Sequence, residues 1–548
     1  MHPALLAALT AAPAAERAAL LAGMLDGPEG VVLRRNIGAW IERLVPVDFL
    51  VPESVGRWRP MVARSMDFFF SHLSAGRLAG KIVEQMELPP KTPPEQRLLR
   101  LIAKMPGLQK LGQVVARNPR LAPALRTALT ELENGISDVT GAGIRAILEQ
   151  QLGTKLKTYA VRLDSRILSE ASVSAVIRFS WRKPDRERER CVFKVLKPHI
   201  PGCFAEDMAL LQQLGEHLAE RIVEETLTEV RLLLQHELDF RREQTTLAEA
   251  ARTYRGTLGI RVPRVIPELS TAEITAMTEE NGVKVTDALR RSPIRRRRIA
   301  EQLVDALVAV PLFSAHPQST FHADPHAGNL LYDAPDRELI VLDWALVERL
   351  NLPSRRQLMM LAIMTALRNP AGVKHAILAL RRPGGRPALS IVNRAVDRFF
   401  ERLPGRSSPG VLDGMRLLDE IALEGVQFDA PLFLFRKSLF TLDGVIQEIA
   451  GTEVRIDQVL LRHFLTRWAA SLGLFYSPLT LRDFLSVEWN ALLYPARILA
   501  SRPPDAGVAA SDSASAVRGP APSLKKRSPR STTARPRAPR RPRSRRAG

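Results

Sequence analysis

Apolar and polar positions change rhythm four times along this chain. Up to about residue 90 the apolar residues recur at helical spacing, broken at Gly27-Pro28 and Pro52. That region ends at Pro89-Pro90-Lys91-Thr92-Pro93-Pro94, where consecutive prolines cannot continue a helix. A second helical stretch is predicted from about 95 to 153. Then the period shortens, and residues 158–161, 175–179 and above all Cys191-Val192-Phe193-Lys194-Val195-Leu196 read as strands, the last with one lysine among apolar neighbours. A long helical pattern follows over about 204–252, then strand-like 260–266 and 273–277. Thr278-Glu279-Glu280-Asn281-Gly282 predicts a hinge. From 285 to about 500 the pattern is helical again, except around Asp324. No fixed-period repeat is visible. The resulting divisions are a helical region 1–94, a helical extension 95–157, a β-containing lobe 158–282, a helical lobe 283–500 and a tail 501–548. The fold class expected is α+β, with two lobes and many helices.

Composition sharpens this picture at three points. A chain of 548 residues with 45% apolar residues can bury several cores. With Cys191 and Cys203 as its only cysteines it has no disulfide framework, which fits a reducing compartment. The formal charge of +21 suggests nucleic acid until it is located: residues 501–548 hold 13 Lys/Arg against two Asp, so +11 lies in a Pro/Ser/Arg-rich tail. Such a tail is expected to be disordered and solvated. An anionic membrane surface is its next best partner, while the lack of interleaved aromatics argues against nucleic acid.

No stretch reaches the roughly 18 to 20 apolar residues needed to cross a bilayer. Residues 358–367 are too few, and 484–500 is broken by Glu488, Pro495 and Arg497. The apolar residues 3–15 follow no Lys or Arg and precede Glu16, which argues against a signal peptide. The expected location is cytoplasmic or peripheral at the inner face of a membrane.

The chemistry concentrates in Phe321-His322-Ala323-Asp324-Pro325-His326-Ala327-Gly328-Asn329, followed fourteen residues after the asparagine by Asp343 in Val341-Leu342-Asp343-Trp344-Ala345. An aspartate, an asparagine five positions on and a second aspartate at a strand end form the layout of a phosphoryl-transfer site. Asp324 can accept or orient a proton from an attacking hydroxyl. Asn329 and Asp343 offer hard oxygen donors to the Mg2+ that bridges the phosphates of ATP. The plainer reading is a capping turn. A zinc reading of the two histidines fails because Pro325 and Gly328 prevent the helix that their spacing would need.

Lys194, mid-strand among apolar neighbours, would be costly without a carboxylate partner. In a kinase-like lobe it contacts the α- and β-phosphates and pairs with a helix glutamate, for which Glu243 is the candidate. The alternative is an edge lysine pointing into water. A glycine-rich phosphate loop should precede it, but Glu170-Ala171-Ser172-Val173-Ser174-Ala175-Val176 stands there, with Cβ atoms that stiffen the loop. Ala323 replaces the arginine that reads a phosphorylated activation loop in protein kinases, and no Ala-Pro-Glu follows Asp343. Both absences argue against control by activation-loop phosphorylation and against a peptide-substrate platform.

Lys110-Leu111-Gly112-Gln113, the loop 171–176, Lys194, Glu237-Leu238-Asp239, His322 to Asn329 and Asp343 resemble, in order, the motif set of the UbiB/AarF family of atypical kinase-like proteins, over roughly residues 95 to 350. The resemblance implies a protein-kinase-like fold in which the segment with Lys110 and Gln113 packs over the nucleotide site and hinders protein substrates. It also implies that Lys110 pairs with Glu237, that Ala171, Ser172 and Ser174 line the nucleotide, that Glu279 lies beside the adenine, and that ATP and Mg2+ are cofactors. Family members look like ATPases or small-molecule kinases linked to ubiquinone or other isoprenoid-lipid metabolism at membranes.

Three departures stand out: Ala327 for a usual proline, Trp344-Ala345 for Phe-Gly, and no membrane-spanning C-terminal hairpin. The second puts mobility of Asp343 in question. Two rival readings stay open, a catalytically silent nucleotide-binding scaffold and an aminoglycoside- or choline-kinase-like phosphotransferase. Lys110 and Gln113 speak against the latter.

Overall fold

The computed structural model describes residues 12–116, 125, 129, 139–182, 187–218, 220–257, 259–290, 292–382, 389–403, 409–470 and 478–500. The basic tail and most of 117–138 lie outside the described residues.

Short helices from Ala14 to Ile102 lead to helix α1 (Pro106–Ala116), which carries Lys110 and Gln113. Helix α2 (Gly141–Thr158) is capped by Thr140, whose hydroxyl accepts from the Gly143 amide. Residues 158–161 therefore close a helix and a turn. The strand predicted there begins instead at β1 (Arg162–Glu170), followed by β2 (Ser174–Arg182) and β3 (Arg188–Leu196). The strand β1 pairs only with β2 and buries none of its nine residues, so it lacks an apolar alternation to read.

The helical pattern after β3 resolves into α3 (Ile200–Leu218), α4 (Arg221–Leu238) and α5 (Phe240–Thr253), with Asp239 capping α5 through the Arg242 amide. Of the predicted run 260–266, only β4 (Ile260–Arg261) is a strand. Next, β5 (Ile274–Thr278) joins the antiparallel sheet of order β1-β2-β3-β5. In its register Lys194 sits between Val176 on β2 and Thr275 on β5.

The second lobe contributes β6 (Val283–Lys284), β7 (Gln318–His322), β8 (Leu330–Asp333), β9 (Glu338–Val341) and β10 (Val347–Asn351). They form a sheet of order β4-β9-β8-β6 and a β7-β10 ribbon. Helices follow, among them α6 (Leu352–Ala366), α7 (Ile456–Ala470) and α8 (Leu481–Ala500).

Three main apolar cores hold this together. The largest fills the helical lobe, and another packs α2 against the outer face of the first sheet through Phe179, Phe193 and Ile177. The third joins the N-terminal helices to α3 and α4, with Val173 and Leu196 among its members. Residues before 94 and the β-containing lobe thus share one core, and the extension is fixed to the lobe whose loop it overlies.

Candidate active site

Asp324, Asn329 and Asp343 all lie at strand ends, where a chain leaving a sheet exposes polar side chains without breaking the ladder. Asp324 follows β7, Asn329 ends the short turn Ala327–Asn329 before β8, and Asp343 follows β9. His322, 1% exposed, fixes the first of these ends. Its Nε2 donates to the Leu342 carbonyl (3.1 Å) while its Nδ1 accepts from the Asp324 amide (3.2 Å), a pairing that selects the neutral Nε2–H tautomer. Burial pushes this imidazole below its usual pKa. The Asn329 amide donates to the Asp324 carbonyl (3.4 Å), which commits its nitrogen and leaves its oxygen as the donor atom for a cation.

Asp343 has φ 50°, a left-handed conformation uncommon for a residue with a Cβ. Its neighbours hold it there. The Ala345 amide donates to Oδ1 (3.2 Å), and Trp344 is buried, its indole N–H donating to the Val341 carbonyl (3.1 Å) and its carbonyl accepting from Thr246 Oγ1 (2.7 Å). The tryptophan that takes the usual phenylalanine position is thus an anchor, and the aspartate beside it is preset.

Lys194 Nζ lies 2.6 Å from Glu243 Oε1 and 3.8 Å from Asp343 Oδ1. Burial disfavours its charge, but Asp343 and Glu243 outweigh that and hold the ammonium above its ordinary pKa. Asp343 is 44% exposed on the cleft side, yet Lys194, the Ala345 amide and the two histidines overcome the cost of its enclosure and keep its carboxyl below the usual range. Glu243 is 3% exposed, and among the described residues its Oε2 has no hydrogen-bond partner, so the carboxylate is given over to Lys194.

A cavity of about 320 Å³ opens over these groups. Lys110, Gln113, Ala171, Ser172, Ser174, Lys194, Glu237, Asp324, Asn329 and Asp343 all line it, while Glu243 stands behind Lys194. Lys110 ion-pairs with Glu237, whose other oxygen accepts from Ser172 Oγ (2.9 Å), so one carboxylate ties α1 to the loop. Glu279 is placed elsewhere. It lines a separate, open depression of about 500 Å³ with Arg162, Arg178 and Arg190, and its carboxylate accepts from Arg178 Nε (2.5 Å).

Several contributors escaped the sequence reading. Lys197, fully buried, pairs with Glu170 (3.1 Å), and its amide donates to the Val173 carbonyl (2.9 Å), clamping both ends of the loop. Asp207, also fully buried, accepts from the Gly107 amide (2.8 Å) and pairs with Arg77 (2.6 Å). A side chain at 107 would press its Cβ to 3.1 Å from that carboxylate, so glycine permits the latch at the start of α1. His236, His326 and Lys284 line the cavity as well. No sequence signal marks these residues, because ordinary Lys, Asp and Glu acquire such roles only through partners far along the chain.

A small antiparallel sheet carrying a lysine and its helix glutamate, set over a helical lobe with two aspartates and an asparagine at strand ends, defines a protein-kinase-like molecule. Residues 131–377 match the ABC1 atypical kinase-like domain, in line with the resemblance to the UbiB/AarF family. It is 28% identical over 263 residues to a probable protein kinase UbiB of Haemophilus ducreyi, covering 45% of this chain and 48% of that one. Over 361 residues it is 24% identical to the uncharacterized protein sll1770 of Synechocystis, 63% of this chain and 60% of the other. The chain spans about half the length of most of the curated relatives it matches. Among solved structures, the Rv3197–erythromycin complex from Mycobacterium tuberculosis superposes with a TM-score of 0.38 and 17% identity, over 64% of this chain and 92% of that chain.

Proposed function

We propose that this protein binds ATP with magnesium and hydrolyses it, or transfers its terminal phosphoryl group to a small or lipid-like acceptor, in support of ubiquinone or other isoprenoid-lipid metabolism. The observation that carries the reading is Lys194 held between Glu243 and Asp343 at the floor of a cavity that also receives Asp324 and Asn329. The donor set fits a hard cation: a carboxylate kept ionised beside a carboxamide whose oxygen is left to donate. Asp343 and Asn329 would hold magnesium, which when bound with nucleotide neutralises phosphate charge. Lys194 binds the inner phosphates, Asp324 takes the proton of an attacking hydroxyl, and the loop 171–174 covers the phosphates. Lys110 and Gln113 narrow the mouth and favour small acceptors over peptides. The lipid-linked role draws on the resemblance to the UbiB/AarF family and on the UbiB name carried by the relatives.

A second reading, a nucleotide-binding scaffold without turnover, is favoured by the anchored Trp344, which restrains the metal aspartate. Magnesium-dependent ATP turnover of the purified protein, compared with Asp343→Asn and Lys194→Ala, separates the two. Turnover that both variants lose supports catalysis, and equal, negligible turnover in all three supports the scaffold. For the pathway, quinone and isoprenoid intermediates should accumulate when the gene is deleted; an unchanged lipid profile sinks that part.

A further inference from the structure

Arginines crowd one face of the small sheet at the end remote from the loop 171–174. On β2 and β3, Phe179, Trp181, Cys191 and Phe193 turn to the core under α2, so the alternating residues Arg178, Ser180, Arg182, Arg188 and Arg190 emerge on the opposite face. The strand β1 adds Arg162, which pairs in register with Ser180, itself opposite Arg190. Arg182 and Arg188 stand directly across from each other. Like charges so placed work against the pairing of the strands. Slight desolvation and the neighbouring Arg162 and Arg182 charges hold the Arg188 guanidinium below its ordinary pKa. Folding alone gives no reason for this face.

The carboxylates nearby do not neutralise it. Glu189, on the other face, accepts from Arg264 (2.7 Å) and from the Trp181 indole (3.2 Å), and Asp164 accepts from the amides of Ser165 (2.6 Å) and Arg166 (3.3 Å). Glu279 answers Arg178, but among the described residues Arg162, Arg188 and Arg190 form no ion pair. The guanidiniums of Arg162, Arg178 and Arg190 border the depression of about 500 Å³, which is roomy enough for a compact ligand. Forked donors on rigid strands suit phosphate oxygens taken two at a time. Phe179, the aromatic residue at this depression, is buried in the core, so a nucleic acid would find no ring to stack on. We propose that the depression binds a small soluble polyanion with adjacent phosphate groups, which competes with Glu279 for Arg178. The inference stands apart from the phosphoryl-transfer reading, because it uses none of the groups assigned to that chemistry and its readout needs no nucleotide.

Titration calorimetry of the full chain with sodium tripolyphosphate, without nucleotide or magnesium, tests it. Saturable binding is expected. Arg162→Ser/Arg190→Ser should weaken it about tenfold without lowering the melting temperature, since the exchange also relieves repulsion across the strands. Arg295→Ser/Arg298→Ser removes the same charge from exposed positions elsewhere and should leave binding unchanged. Glu279→Gln should tighten binding, because Arg178 loses its internal competitor. No saturable binding, binding that survives Arg162→Ser/Arg190→Ser, or an equal loss in both arginine pairs would each overturn the proposal, the second by placing the anion elsewhere and the third by reducing it to diffuse charge. Displacement of the tripolyphosphate by phosphatidylglycerol vesicles would overturn it too, by giving the face to a lipid surface.

Discussion

The inner and outer ends of one strand surface, β2 and β3, follow opposite rules. At the inner end Lys194 and Lys197 are enclosed, and each has a carboxylate partner whose side chain is 3% and 7% exposed respectively. At the outer end Arg178 is 47% exposed, and its partner Glu279 faces an open depression. Charges enclosed together depend on one another, because removing one strands the other in a medium that penalises it. Exposed charges are screened and replaceable. The cleft is therefore expected to be brittle on the phosphate side and tolerant on the hinge side.

The sharpest way to break this contrast is at the floor of the cleft. Lys194→Ala and Asp343→Asn should each reduce ATP turnover on the order of a thousandfold, measured by phosphate release. Next, Lys197→Met leaves Glu170 enclosed without its cation and should cost about 3–5 kcal/mol of stability in chemical denaturation. Pairing it with Glu170→Leu should restore most of that loss, and no restoration would show that the clamp is not the cause.

The pH dependence is smaller and its sign is fixed. Because burial depresses His322, the unfolded chain takes up this proton near pH 6.5 while the folded chain resists it. Stability from this group is complete above that pH and falls as the pH drops below it, until the depressed folded value is reached. Melting curves should show this decline in wild type and a shallower one in His322→Asn. The least effect is expected at the hinge side, where Arg178→Ala should change ATP affinity by less than about 1 kcal/mol in titration calorimetry. A large loss there would erase the contrast.

The same contrast explains what could be read from the chain before its fold. Asp324, Asn329, Asp343 and Lys194 were legible because each is a polar residue in an apolar or turn-rich setting that no ordinary packing requires. Glu243 was legible once Lys194 demanded a partner. Glu170 and Lys197 were not, since a lysine after a strand looks solvated until a carboxylate 27 positions earlier is folded onto it. The Asp207 latch joins residues 100 apart. Element boundaries slipped where local signals were weak: β1 is an edge strand without a buried face, and the pattern over 204–252 divides into helices that end at Leu218 and Leu238.

The indole beside Asp343 also bears on inhibitor design. With Trp344 filling the interior against Tyr254 and His322, the space behind Asp343 is solid side chain. Compounds that act on kinase-like proteins by swinging this residue aside would find no room to enter. Selective ligands must instead exploit the arginine-rich rim near Glu279, where the wall is open and chemically distinctive.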